Sequence, residues 1–60
     1  MNLVVYNFDN KDEVLEAYEH CLIIPRKDEF IEIKDKIYRV KTNPCFNYVK
    51  NTVWVFVKVV

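Results

Sequence analysis

The sequence predicts an α+β domain in β-α-β-β-β-β order, one amphipathic helix packed on a curved antiparallel sheet. Three observations carry this reading. An apolar stripe at helical spacing lies between Asn10 and Pro25, apolar and polar residues alternate from Glu29 to Lys41, and alternating valines fill the C-terminal run. Sixty residues, 52% of them hydrophobic, suit a single domain over positions 1–60 with no room for a second core.

The first strand runs from Asn2 to Phe8, with Leu3 and Val5 on one side and Val4, Tyr6 and Phe8 on the other. Asp9 and Asn10 are good helix N-caps, and Glu13 stands at capping-box distance from Asn10. Val14, Leu15, Tyr18, Cys21 and Leu22 then recur on one helical face, and Pro25 ends the helix because the residue before a proline is driven out of helical geometry. Between Glu29 and Lys41 a hairpin turning at Asp35-Lys36 sets Ile33 opposite Tyr38 and Ile31 opposite Val40, so four apolar side chains share a face. The same register opposes Glu32 to Arg39, a favourable charge pair. After Asn43-Pro44, a second hairpin from Cys45 to Val60 bends at Asn51-Thr52, with Tyr48 facing Val55 and Phe46 facing Val57.

That last strand is apolar on both faces: Val53, Val55, Val57 and Val59 line one, and Trp54, Phe56 and Val60, with Lys58, the other. A strand of this kind needs two covering layers, and the helix supplies only one. The expectation is a homodimer whose interface is built from Trp54, Phe56, Val49, Lys58 and Val60. The alternative is a sheet curled tightly enough to hide both faces in one chain.

Charge is balanced in total and unevenly placed. Residues 1 to 24 sum to minus four and residues 25 to 60 to plus four. Asp12, Glu16 and Glu19 on the expected helix form an acidic face suited to a basic partner surface. The chain contains no glycine, serine or glutamine, which removes phosphate-cradling glycine loops and the serine nucleophile elbow. His20 and Cys21 are adjacent and diverge on a helix, and with Cys45 they make three soft ligands, too few for a structural zinc site. No catalytic, metal or cofactor residue is therefore assigned, and the reading is of a non-enzyme. Two cysteines and no secretory-type leader point to reduced thiols and a cytoplasmic protein, and the longest apolar run, Val53–Val57, is too short for a membrane span. Lys34, Lys36, Arg39, Lys41, Lys50 and Lys58 interleave with aromatic residues, so single-stranded nucleic-acid binding is the second functional reading.

The stretch Pro25-Arg26-Lys27-Asp28-Glu29-Phe30-Ile31-Glu32-Ile33, followed by Lys36-Ile37-Tyr38-Arg39-Val40 and the alternating valines, resembles the small SH3-like β-barrel proteins of bacterial phages and mobile elements. The resemblance spans about 36 residues, from Pro25 to Val60. It implies a protein-binding inhibitor or accessory protein that occludes a host enzyme or a defence system, and in size and style the chain is similar to anti-defence proteins that block the Hachiman system. The lack of glycine departs from the barrel pattern, in which a glycine commonly occupies the first hairpin turn.

Overall fold

A computed structural model describes all residues from Met1 to Val60. It contains six strands and no helix: β1 Asn2–Asn7, β2 Val14–Tyr18, β3 Phe30–Ile33, β4 Lys36–Val40, β5 Cys45–Asn47 and β6 Thr52–Val59. The sheet order is β2-β1-β6-β4-β3, with β5 also paired to β6. The α+β expectation is thereby corrected to an all-β, curled mixed sheet that forms a half-barrel.

The helix expected after Asn10 is replaced by a β-hairpin built from the same capping residues. Asn10 Oδ1 accepts the Asp12 N–H at 3.3 Å and the Asn10 carbonyl accepts the Glu13 N–H at 2.9 Å, so the cap closes a tight turn. Glu13 takes a hydrogen bond from the Asn7 side-chain amide at 2.7 Å, holding the turn against the end of β1. Beyond the turn Val14, Leu15 and Tyr18 are good strand formers, and β2 pairs antiparallel with β1 from Leu3↔Tyr18 to Tyr6↔Val14, with a bulge near Leu15. A helix would leave that edge of β1 without hydrogen-bond partners. Asp12, Glu16 and Glu19 consequently share no helical face: Asp12 lies in the turn, Glu16 within β2 and Glu19 just past its end.

The sheet is also not purely antiparallel. β1 runs parallel to β6 over its whole length, from Asn2↔Thr52 to Asn7↔Val57. The other edge of β6 is shared: β5 takes Thr52 to Trp54, and β4 takes Val57 to Val59. This central position explains a strand apolar on both faces. Inward, Val53, Val55 and Val57 are fully buried with Leu3, Val5, Ile33 and Val40. Outward, Phe56 stacks on Tyr6 at 5.3 Å between ring centroids, and Lys11 Nζ lies 5.4 Å from the Phe8 ring and 5.7 Å from that of Phe56. The second covering layer is thus partly supplied by the chain's own β1 and the turn after it.

The β3–β4 hairpin keeps its expected faces and changes register, whereas in the β5–β6 hairpin the register shifts so far that Tyr48, expected opposite Val55, falls in the exposed loop. The β3–β4 turn is Lys34-Asp35, both in the left-handed region at φ of 49° and 69°, which pairs Ile31 with Tyr38 and Ile33 with Lys36. Glu32 therefore faces Ile37, and the expected Glu32–Arg39 pair does not form. In the β5–β6 hairpin Phe46 pairs with Val53, and residues 48 to 51 make the loop, with Asn51 at φ 51°. Asn47 Oδ1 accepts the Lys50 N–H across it at 3.1 Å.

Candidate functional site: an open seam between the two edge strands

β2 and β3 end the sheet order, and the curl brings them toward one another. Lys34 Nζ, at the end of β3, lies 3.9 Å from Glu16 Oε2 on β2. Between these edges is an open groove of about 690 Å³. Leu3, Ile31 and Ile33 contribute from the inner face of the sheet, Tyr18 from β2, and Cys21, Ile23 and Pro25 from the strap joining β2 to β3. Pro25 is buried and Ile24 packs on the core, which ties the strap down at that end. The groove's rim is apolar and uncovered: Phe30 is 62% exposed and Ile23 82%.

The backbone at the two edges is not equivalent. The Val40 N–H of β4 donates to the carbonyl of Glu29, just before β3, at 2.8 Å, and alternation along an antiparallel ladder then turns the backbone of Ile31 and Ile33 toward β4. The N–H and C=O of Phe30 and Glu32 consequently point away from β4, out of the sheet. In β2 the Ala17 N–H is occupied by the neighbouring carboxylate, Glu16 Oε1, at 3.1 Å. Glu16 thus blunts its own edge, a usual way to protect an exposed strand, while β3 carries no such cover.

The groove is electrostatically one-sided. Glu29 and Glu32 are its charged lining residues, and no cation lines it. Glu29 Oε1 accepts the Arg26 N–H at 2.6 Å. Arg39, the cation expected to pair with Glu32, is held by Asp28 at 3.0 Å, and Glu32 forms no ion pair. Burial pushes the Tyr18 hydroxyl above its usual value of 10.0, and the nearby charges of Glu16 and Cys21 add to the rise.

Of the residues assigned from sequence to a dimer interface, all but Val49 lie along the outer side of β6 and its end. Trp54, Phe56 and Lys58 share the outer face of β6, with Trp54 flanked by Val4 and Cys45 and Lys58 3.7 Å from Asp9. Val60, just past the end of β6, lines a shallow depression with Lys58, whereas Val49, 97% exposed, sits apart in the β5–β6 loop. His20 is an exposed residue at φ 56° after β2, and Cys21 donates its thiol hydrogen to the Ile23 carbonyl at 3.0 Å. No group of three or more His, Cys, Asp or Glu side chains gathers as a metal site, and no helix is long and apolar enough to cross a membrane. The seam escapes sequence reading because its two walls are 12 residues apart along the chain, from Tyr18 to Phe30, and meet only through the curl.

A half-barrel with one uncovered strand edge over an apolar groove defines the class of structure at hand: a small β scaffold with an incomplete sheet. Compared with protein-family models, curated proteins and solved structures, the chain gives no match.

Proposed function

We propose that this chain is a non-enzymatic protein-binding module that takes an extended segment of a partner polypeptide into the seam by strand addition to β3. The observation that carries the reading is the free Phe30 and Glu32 backbone beside an apolar groove. Strand addition draws affinity from main-chain hydrogen bonds and selectivity from the alternate side chains that enter a groove. One inserted strand needs about 10 Å between the flanking backbones, twice the inter-strand spacing, a gap that a lysine and a glutamate meeting tip to tip can bridge. Occlusion of a partner surface in the cytoplasm, the mode implied by the resemblance to phage inhibitors, is the functional outcome such binding supports.

The test is NMR titration with a short capped peptide alternating valine and threonine. Strand addition slows exchange and shifts the amide signals of Phe30 and Glu32 in the wild type. Phe30→Pro removes a donor that the β3–β4 ladder does not use, so it preserves the fold and abolishes binding, whereas Phe30→Ala retains it. Binding that survives Phe30→Pro in a folded protein would overturn the proposal.

One observation favours a second reading, single-stranded nucleic-acid binding. Phe46 and Tyr48 stack at 6.0 Å with ring planes 9° apart near Lys50, and Tyr48 is largely exposed. This reading requires salt-sensitive retention on an oligonucleotide and its loss in Tyr48→Ala; no retention at low salt removes it.

A further inference from the structure

Given strand addition at β3, we propose that the partner segment is a cationic-apolar strand, with apolar side chains turned into the groove and lysine or arginine turned outward. Successive residues of an added strand face opposite sides of the sheet, so each set meets a different environment. The inward set meets Leu3, Ile31 and Ile33, which are apolar. The outward set lies beside Phe30 and Glu32 on the other face of β3.

That outer face is short of a cation at one defined place. Glu32 faces Ile37 across the hairpin, and Arg39, two residues beyond Ile37, is committed to Asp28 at 3.0 Å. A lysine or arginine of the added strand opposite Glu32 would make the cross-strand charge pair that the hairpin itself lacks. Phe30, on the same face, already has Arg39 opposite it and Lys41 and Lys58 nearby, so the demand for a cation is confined to the position opposite Glu32. Glu29 lies at the groove on the inner side, where its Oε1 accepts the Arg26 N–H, and Lys34, just past the end of β3, is turned toward Glu16. An acidic residue opposite Glu32 would meet a carboxylate with no ion-pair partner, so at that position the seam selects by repulsion as well as by attraction.

Three capped peptides of equal length, alternating valine with lysine, threonine or glutamate, separate this inference from the reading beneath it. The lysine peptide is expected to bind wild type about fivefold more tightly than the threonine peptide at low salt, and the glutamate peptide more weakly still. Glu32→Gln, an exposed substitution, is expected to bring the ratio of lysine-peptide to threonine-peptide affinity close to one. Equal affinity for the three, or a lysine preference undiminished in Glu32→Gln, would overturn the cationic assignment while strand addition stands. Failure of every peptide to bind would overturn both. Slowed amide exchange at Phe30 and Glu32 in protein alone at high concentration, without peptide, would make a second copy of the chain the occupant and overturn the assignment to a cationic partner.

Discussion

Lys34 and Glu16 belong to strands at opposite ends of the sheet order, yet Nζ of the first lies 3.9 Å from Oε2 of the second. The pair marks how far the sheet has curled and closes one end of the seam. Glu16 does two things there, since its other oxygen accepts the Ala17 N–H. Lys34 is mostly exposed, so solvent and salt weaken the attraction. A double-mutant cycle of Lys34→Met and Glu16→Gln should return a coupling below about 1 kcal/mol that shrinks with added salt. A larger, salt-independent coupling would mean the seam is closed in solution.

Val55 has no exposed surface and pairs with Val5, also fully buried, across the parallel β1–β6 ladder. Val55→Ala deletes two methyl groups from the centre of the core and should cost about 2 kcal/mol, from lost transfer energy plus the cavity left behind. Val49→Ala, in the exposed loop, should stay within about 0.5 kcal/mol of wild type. Urea midpoints at constant slope measure both.

Asp35 holds φ at 69° in the β3–β4 turn, where glycine is free of the Cβ clash. Asp35→Gly should therefore raise stability by about 0.5 to 1 kcal/mol, read from the same urea transitions. A lower midpoint would show that the aspartate side chain supports the turn in a way its backbone angle does not reveal.

Tyr18 supplies an alkaline signature. Its folded pKa lies above the ordinary 10.0, first because of burial and then because of Glu16 and Cys21. The folded state thus holds the phenolic proton more tightly than the unfolded chain. The associated stability is complete below pH 10 and is lost as pH rises through the folded value. Stability measured upward from pH 9 should fall in wild type and fall less in Tyr18→Phe.

The legible part of the fold is a matter of faces. Leu3 and Val5 are inward on β1 as read from alternation, and Ile31, Ile33, Tyr38 and Val40 share one side of their hairpin. That hairpin's face survives because its register differs from expectation by an even number of residues, and only an odd slip exchanges core for surface. Register itself was not legible. Without glycine, Lys34-Asp35 and Asp35-Lys36 compete as turns on nearly equal terms, and the choice decides whether Arg39 faces Glu32 or Phe30. The segment after Asn10 was misleading for a more general reason. Its apolar spacing and cap residues satisfy a helix and an Asx turn followed by a strand, and only the long-range pairing of β1 decides between them. The parallel alignment of β1 with β6 joins the two ends of the chain and leaves no local trace. The seam follows from that alignment, and so does the solitary Glu32.

Residue-resolved amide exchange of the free protein tests the open seam most directly. If β3 has one bare edge, Ile31 and Ile33 exchange slowly while Phe30 and Glu32 between and beside them exchange at nearly unprotected rates. Protection of Phe30 and Glu32 equal to that of Ile31 would contradict the account, because it would mean that the barrel is already shut.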